Sequence, residues 1–420
     1  MNTETSRTLL PLLALLVVAA CDSESPTDGG PPPIDAATPP GEDGGASERD
    51  AGSDDAGTTT PDAGTATPEV IRGRFESTAA VRECGGLARW QSPDGPLLKF
   101  SMDLCGDDID ALADTIAANL DAVTARGHRA LVVINQGTNL PDAWLARCET
   151  YELSTTRFGG RLCLPWDPSY QADLRAALVD VIGPRVRDHA ALEAVYFTTT
   201  TMTNGAELHF RVERSDFPYP GDDVFRGAYR RVMDIHQQAF DVPVVFEAGH
   251  CIWSGESPDC ETPLDLYRYS RDTYGLRRTG VAIWNCAERF WAGTGTGPET
   301  YGVLGLLEEA NADGASIGCQ TVGNFTRQAC RFSDPDVGDY GASLPSSPGM
   351  VPPCDEDDPA FDPEAACVDT MRWFAGVEAR AEHTLRIRGT WGENWSAEFA
   401  PTGVYETSAA CREAIDLLAP

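Results

Sequence analysis

Two glutamates lie where apolar segments of the sequence give way to polar residues. Glu207 follows the segment TTTTMTNGA, and Glu247 ends the segment VPVVFE. A carboxyl group that is still protonated near neutral pH can donate a proton to a leaving group, and a second, ionised carboxylate can attack or activate water. The two roles require carboxylates roughly 5 to 10 Å apart. We therefore predict Glu207 and Glu247 as a candidate pair of catalytic carboxylates.

Tryptophan, amide and imidazole side chains follow other apolar segments in the same way. The flat face of an indole packs against the C–H face of a sugar ring, whose hydroxyls bind polar side chains. This combination predicts a carbohydrate ligand. The predicted substrate-binding residues are Trp166, Asp167, Asn204, His209, His250, Trp253, Trp284, Asn285, Gln320 and Trp391. The alternative for each tryptophan is a core position that caps the fold, and the alternative for Glu247 and His250 is a structural role in a loop.

Placing these residues together requires strands that end at the same edge of a sheet. Short apolar or β-branched segments alternate with segments of helical periodicity. The predicted strands are 97–104, 129–135, 160–166, 192–202, 242–250, 279–285, 315–323 and 383–389. The predicted helices are 109–126, 142–148, 170–189, 223–240, 263–274, 299–312, 366–382 and 408–418. Apolar strands that alternate with helices indicate an α/β fold with a covered parallel sheet, and eight such units favour a (β/α)8 TIM-type barrel with its site at the carboxyl ends of the strands.

The segment TTTTMTNGAELHF (198–210), together with the preceding residues, resembles the third-to-fourth-strand region of (β/α)8 glycoside hydrolases. The most similar groups are the β-galactosidase-type barrels and the β-amylases, whose motif there is of the type Gly-x-Gly-Glu-Leu-Arg-Tyr-Pro. The resemblance is specific over residues 164–213. It implies hydrolysis of a poly- or oligosaccharide, with Glu207 at the end of strand four as the general acid.

The predicted seventh strand departs from that family. Retaining members carry a nucleophilic glutamate at its end, where this chain has Gln320, and an amide cannot act as that nucleophile. Three explanations stay open: the strand count is off by one, an inverting reaction uses another carboxylate as base, or the barrel binds sugar without cleaving it. The carboxylates available as base are Glu247, Asp167, Glu288 and Glu393. Enzymatic activity is therefore an open question, and the alternative function is a non-catalytic carbohydrate-binding or structural envelope lipoprotein.

The first 69 residues differ in composition from the rest. The apolar run 9–20 ends in the sequence VAAC, which resembles the lipobox of bacterial lipoproteins, so 1–21 is predicted to be a signal peptide with Cys21 as the lipidation site. Residues 22–69 contain no aromatic residue and are rich in Pro, Gly, Ser, Thr and acids, so they are predicted to form a disordered tether. Residues 70–420 form the predicted glycosidase-like domain, and the predicted location is the bacterial cell envelope, at the periplasmic face or the cell surface.

The net charge narrows the classes of partner that the chain can bind. A formal net charge of -33 disfavours nucleic acids, because phosphate binders need basic patches, and it disfavours polyanionic glycans for the same reason.

Of the 13 cysteines, Cys21 would carry lipid, and the remaining even number predicts up to six disulfides. Predicted local pairs are Cys148–Cys163, Cys251–Cys260, Cys319–Cys330 and Cys354–Cys367. The spacing of cysteines and histidines does not match a zinc site, so no metal or cofactor is predicted. The Pro- and Asp-rich segment 331–368 is predicted to be a long loop insertion after strand seven.

Overall fold

The computed structural model of the chain describes residues 71–77, 97–104, 108–138, 140–153, 160–201, 208, 210–248, 252–254, 261–283, 302–320, 362–377, 388–395 and 403–418. The chain divides into two compact units, Met1–Ala66 and Thr67–Pro420, and every described residue belongs to the second. The predicted leader with Cys21, the tether and most of the predicted insertion 331–368 lie outside the described residues. Within the described part, no helix has the length and apolar character needed to cross a membrane.

Parallel strands form the centre of the second unit. In chain order the described strands are β1 (Gly73–Ser77), β2 (Leu97–Asp103), β3 (Arg129–Asn135), β4 (Thr150–Leu153), β5 (Gly160–Cys163), β6 (Leu192–Tyr196), β7 (Phe210–Glu213), β8 (Val244–Glu247), β9 (Trp253–Ser254), β10 (Thr279–Ile283), β11 (Ser316–Gln320) and β12 (Trp391–Trp395). Eight of these described strands pair in the order β1-β12-β11-β10-β8-β6-β3-β2, and β1 also pairs with β2, so the sheet curls into a closed barrel. Counted along the described chain, β6 is the fourth barrel strand, β8 the fifth and β11 the seventh.

Helices separate most of the barrel strands in sequence. The described α-helices are α1 (Ile109–Ala125), α2 (Asp142–Leu145), α3 (Pro168–Arg175), α4 (Gly183–Val186), α5 (Asp222–Ala239), α6 (Glu261–Tyr274), α7 (Gly302–Asp313), α8 (Pro363–Phe374), α9 (Val404–Thr407) and α10 (Ala409–Asp416), with a π-helical segment, Ala176–Ile182, between α3 and α4. Several begin at a residue that satisfies the free backbone N–H groups of the first turn. The Asp108 side chain accepts from Ala111 N at 2.9 Å, and Ser408 accepts from Cys411 N at 3.0 Å.

Apolar side chains fill both faces of the barrel strands. Because successive residues of a strand point to opposite faces, a strand such as RALVVIN needs cover on both sides. One face packs against the helices, as with Leu98 and Phe100 of β2. The other face forms a separate cluster inside the barrel, in which residues from facing strands meet: Ile71, Leu131, Val133, Ala194, Tyr196, Val245, Ala282 and Trp391.

The predicted α/β class with a curled parallel sheet and flanking helices is confirmed. Two of the predicted strand positions are wrong. The segment 160–166 is no barrel strand, since β5 pairs antiparallel with β4 as a hairpin. The predicted eighth strand, 383–389, is displaced, since the last barrel strand is β12 and residues 388–390 are described as non-strand. Strand β1 was not predicted, and it restores the count, so 192–196 remains fourth and 316–320 remains seventh.

Two disulfides connect described cysteines. The predicted pair Cys148–Cys163 is confirmed, with 5.6 Å between its Cα atoms, and it ties the hairpin to the residues after α2. The predicted pair Cys354–Cys367 is wrong, because Cys367 of α8 is bonded to Cys411 of α10. Cys319 is also disulfide-bonded, whereas its predicted partner and the predicted pair Cys251–Cys260 lie outside the described residues.

Candidate active site

The carboxyl ends of the barrel strands carry a concentration of buried polar side chains. Burying a polar group away from water is unfavourable unless it finds a hydrogen-bond partner, so such a concentration requires a specific arrangement. The fully or almost fully buried members that the structure describes are Asp103, Asn135, Gln136, Thr198, Thr199, Thr200, Thr201 and Glu247. They follow β2, β3, β6 and β8, which are consecutive in the barrel.

Asp103 and Asn135 end the second and third barrel strands side by side. They are directly paired in the register of β2 and β3, and Asn135 Nδ2 donates to Asp103 Oδ1 at 2.9 Å. The amide thus holds one carboxylate oxygen at the strand ends. Neither residue is among the predicted site residues.

Glu247 ends the fifth barrel strand and is 1% exposed. It pairs with Ala282 of β10, and Ala282 belongs to the apolar cluster inside the barrel. Since paired residues of parallel strands share a face, the Glu247 side chain lies on the inner face of the barrel. The structure therefore places this predicted carboxylate at the inner edge of the strand ends, where a ligand at the barrel mouth would meet it.

The loops after the fourth and fifth strands are joined to each other by backbone hydrogen bonds. Leu208 N donates to the backbone carbonyl of Glu247 at 3.3 Å, and Phe210 N donates to Ile252 O at 2.6 Å. Beyond these bonds β7 and β9 pair in parallel, with Phe210 opposite Trp253. Glu207 lies outside the described residues, but the next residue in the chain is bonded to Glu247.

A chain of buried hydrogen bonds lies behind the fourth strand. It joins Gln136, after β3, and Tyr170 of α3 to Thr198, after β6, and to His236 of α5. Burial lowers the pKa of His236 to about 4, against a smaller opposite effect of its bond to Val232 O. Burial also raises the pKa of the Tyr170 hydroxyl above its ordinary value, so the phenol stays protonated.

Trp166 and Asp167 have structural partners at the start of α3. Asp167 caps this helix, since its Oδ1 accepts from the N–H groups of Ser169 and Tyr170, and its Oδ2 accepts from Glu149 N at 3.0 Å. Trp166 is half-buried and meets Phe217 edge-on, with 5.8 Å between ring centroids. Their substrate-binding roles stay predictions, and the contacts show that both also stabilise the loop that leads into α3.

Trp391 lies inside the barrel rather than at its surface. It is fully buried and meets Tyr196 edge-on at 6.4 Å between ring centroids. Its indole occupies the space over Gly318 of β11, where an added Cβ would lie 2.0 Å from the ring. This is the core position considered as the alternative for the tryptophans. Gln320, two residues beyond Gly318, ends the seventh strand and is half-buried.

The remaining predicted site residues are not described in full. The structure gives the backbone of Trp253 in β9. The predicted residues that lie outside the described part are Asn204, Glu207, His209, His250, Trp284 and Asn285. Within the described residues, no group of three or more His, Cys, Asp or Glu is arranged to hold a metal ion.

Sequence analysis missed a buried lysine. Lys99, in the middle of β2, is 4% exposed, and its Nζ lies 4.4 Å from the centroid of the Tyr196 ring. Its register partner Leu131 belongs to the cluster inside the barrel, so Lys99 faces the interior. The signal was present in the sequence, since Lys99 is the one basic residue in the strand LLKFSMD and lies between apolar neighbours.

Comparison with known proteins gives likenesses to solved structures only. No protein-family model matches the chain, and no curated protein matches it at a significant level. The chain is similar to a GH5 cellulase from an Icelandic hot spring isolate (6% identity, TM-score 0.32, 60% of this chain and 64% of that chain). It is also similar to a D-allulose 3-epimerase from Methylomonas sp. (9% identity, TM-score 0.34, 83% and 96%) and to a family 26 endo-β-1,4-mannanase from Cellulomonas fimi (12% identity, TM-score 0.25, 80% and 67%).

These neighbours include glycoside hydrolases, and they also include an isomerase. The chain spans less than two thirds of the length of the cellulase. With identities of 6–12% and TM-scores of 0.25–0.34, the likenesses assign neither a family nor a reaction. The function of this chain therefore has to be inferred from its own residues.

Proposed function

We propose that the protein is a glycoside hydrolase-like (β/α)8 barrel that acts on a poly- or oligosaccharide at the carboxyl ends of its strands. Glu207 serves as the general acid and Glu247 as the second carboxylate. The observation that carries this proposal is the 3.3 Å hydrogen bond from Leu208 N to the carbonyl oxygen of Glu247. Leu208 N belongs to the peptide group that joins Glu207 to Leu208, and the acceptor is the backbone carbonyl of Glu247. This short link supports a separation of the two carboxylates within the range that glycoside cleavage requires.

Gln320 at the end of the seventh strand favours an inverting reaction over a retaining one. The structure keeps 316–320 as the seventh barrel strand, so a miscounted strand no longer accounts for the missing glutamate. In the proposed step Glu247 accepts a proton from water, whose oxygen bonds to the anomeric carbon. The glycosidic C–O bond breaks, its electron pair passes to the leaving oxygen, and Glu207 supplies the proton to that oxygen. The half-buried Trp166 would offer an indole face to the sugar ring.

The proposal is tested with the purified full-length chain and a panel of neutral glycans, such as β-1,4-glucan, β-1,4-mannan, β-galactan and α-1,4-glucan. We expect release of reducing sugar from at least one of them, and loss of that release in Glu207→Gln with the unfolding transition retained. NMR of the first product anomer distinguishes inversion from retention. Absence of cleavage across the panel would contradict the proposal.

A second function, carbohydrate binding without cleavage, is favoured by the same Gln320. A barrel that has lost its seventh-strand carboxylate would keep sugar-binding groups at the other strand ends. This alternative predicts a saccharide-dependent rise in thermal unfolding temperature without any reducing-sugar release.

Export and lipid attachment are proposed on the sequence alone. The apolar run that ends in VAAC supports modification of Cys21, and the composition of 22–69 supports a tether to the bacterial cell envelope. Metabolic labelling with a fatty-acid analogue should mark the wild-type chain and not Cys21→Ser. Labelling of both chains, or of neither, would contradict lipidation at this residue.

A further inference from the structure

The chain of hydrogen bonds behind the fourth barrel strand is continuous and buried throughout. Tyr170 hydroxyl contacts Gln136 Oε1, and Gln136 Nε2 lies 3.1 Å from Thr198 O and 2.7 Å from Thr198 Oγ1. His236 Nε2 lies 3.3 Å from both the backbone N and the Oγ1 of Thr198. All four residues are at most 1% exposed. Gln136 and His236 thus meet at Thr198, just beyond β6, and Tyr170 holds Gln136 from the other side.

The direction of every bond in this chain follows from its ends. His236 Nδ1 lies 2.9 Å from the carbonyl oxygen of Val232, which can only accept, so Nδ1 carries the proton. Nε2 is then an acceptor in the neutral ring, and it receives the Thr198 N–H and hydroxyl. At the other end, the carbonyl of Thr198 fixes Nε2 of Gln136 as the donor, which leaves Gln136 Oε1 to accept from the Tyr170 hydroxyl.

A chain with only one satisfactory arrangement holds its members in place, because any displacement leaves a buried polar group without its partner. Burial keeps His236 neutral and Tyr170 protonated, which is the state that this arrangement needs. Tyr170 also lies 3.4 Å from Thr199 Oγ1. The residues that follow β6, 197–201, are therefore fixed from behind; we name them the exit segment.

The exit segment leads directly to the residues that the proposed function uses. Its first residue, Phe197, donates its N–H to Val245 O of β8 at 2.7 Å, and Leu208 returns to Glu247 O at the end of the same strand. Phe197 and Leu208, which lie on either side of Glu207 in the sequence, thus both contact β8. Where the exit segment lies decides where the connection to Glu207 begins.

We propose that Tyr170, Gln136 and His236 are positioning residues, which fix the exit segment, the last described residues before Glu207. The expected effect on turnover rests on the proposed function, whereas the expected effect on the backbone of the exit segment rests on the structure alone. None of the three residues has to touch the substrate. Their contribution is to hold the geometry of the acid relative to the second carboxylate, which small displacements disturb strongly.

The test compares Tyr170→Phe and Gln136→Met with the matched control Tyr267→Phe in the full-length chain. Tyr267 is equally buried and donates a hydrogen bond to Asp313 at 2.8 Å, but it joins α6 to α7 on the outer side of the barrel. Tyr170→Phe removes a single hydroxyl and preserves the ring, so it serves if Gln136→Met does not fold. Amide hydrogen exchange of peptides covering 197–210 and of peptides covering 279–283 is measured for each, together with kcat and KM on the glycan that the wild type cleaves.

We expect Tyr170→Phe to raise exchange in 197–210 about tenfold and to lower kcat about tenfold with KM unchanged, while 279–283 is unaffected. Tyr267→Phe should lower stability by a similar amount and leave both readings at wild-type values. Equal effects of the two tyrosine variants, or an unchanged exchange rate in 197–210, would overturn the positioning role. If the wild type cleaves no glycan, the proposed function fails, and the exchange comparison alone still decides whether these residues fix the segment.

Discussion

The barrel wall formed by β6 and β8 differs from the wall formed by β11 and β12 in the kind of side chain that is buried there. Behind β6 and β8, buried polar side chains are paired one by one, and the following loops are hydrogen-bonded to each other. At β11 and β12 the indole of Trp391, the first residue of β12, packs over Gly318 inside the barrel. We call the side formed by β6 and β8 the polar wall and the side formed by β11 and β12 the structural wall.

The two walls differ in how much their buried side chains contribute to stability. A buried hydrogen-bonded group contributes little net stability and is expensive when its partner is lost, whereas apolar packing stabilises directly. Stability alone therefore gives little reason to concentrate such groups beside Glu247. Their concentration there supports a functional role for the polar wall.

The largest expected effect is that of Glu247→Gln on activity. Removing the second carboxylate from the polar wall should lower the rate of reducing-sugar release about 10²- to 10⁴-fold, since a positioned base contributes an effect of this size. The control is Glu308→Gln, which makes the same change at a carboxylate on α7 and should preserve the rate. A Glu247→Gln variant with wild-type turnover would show that the polar wall does not carry the reaction.

Adding a carboxylate to the other wall sharpens the same comparison. In the double variant Glu247→Gln with Gln320→Glu, we expect no recovery of activity, because the new carboxylate stands at the structural wall. Recovery with retention of configuration, followed by NMR of the product anomer, would move the second carboxylate to β11 and reverse the assignment of the two walls.

Low pH should lower the free energy of unfolding through protonation of His236 in the polar wall. Its pKa in the folded chain, about 4, lies below the ordinary value of 6.5, so the unfolded chain binds this proton first as the pH falls. The stability that neutral His236 contributes is therefore present above about pH 6.5 and is lost progressively down to about pH 4, by about 3 kcal/mol in all.

The measurement is the free energy of unfolding in urea between pH 4 and pH 7. His236→Gln should have a shallower pH dependence than the wild type. Equal slopes in the wild type and His236→Gln would contradict a buried neutral imidazole.

The structural wall should be sensitive to volume. Gly318→Ala places a methyl group 2.0 Å from the Trp391 ring, and overpacking of this kind costs about 1–3 kcal/mol or prevents folding. Gly305→Ala is the control, since a Cβ there meets no atom within 4 Å and alanine favours helix α7. Urea denaturation should show a loss for the first variant and no loss for the second. An unchanged free energy of unfolding in Gly318→Ala would indicate that the Trp391 indole can shift to accommodate the methyl group.

The smallest expected effect lies outside the structural wall, where α6 and α7 are joined by ion pairs. Arg268 is half-exposed and lies 2.7 Å from Glu309, which also binds Arg271. Arg268→Gln should lower the unfolding free energy by less than about 1 kcal/mol, and by less still in 1 M salt, because exposed ion pairs are weak and screened. A loss of several kcal/mol in thermal unfolding would mean that charge, rather than packing, holds this side of the barrel.

Most of the barrel could be predicted from the sequence because its strands are apolar on both faces. Segments such as RALVVIN and TGVAI coincide with β3 and β10, and α1, α5 and α6 end within a few residues of their predicted limits. The predicted helix 366–382 is wrong at its end, since α8 stops at Phe374. The short strand GRFES has a charged residue at every second position and gives no such signal. The segment GRLCLPW is apolar enough for a barrel strand, but its antiparallel partner TYEL decides its place, and a local pattern carries no information about partners.

The candidate site was predictable only in part for the same reason. Glu247 was identified because it ends an apolar strand, a property of neighbouring residues. The bonds among Gln136, Tyr170, Thr198 and His236 join residues that are far apart in sequence. No spacing rule connects them, since their proximity depends on how α3 and α5 pack behind β6.

The closure of the ring has a consequence for the order of events during synthesis. β1 pairs on one side with β2 and on the other with β12, so the seam joins residues from opposite ends of the described chain. A nascent chain emerges from the ribosome with β1 first, and one edge of that strand has to wait for the last strand to arrive. Unpaired edges promote association with other chains, and long-range pairing is slow. We therefore expect the barrel to close only after β12 has been synthesised, and the unpaired edge of β1 to favour association with other chains until then.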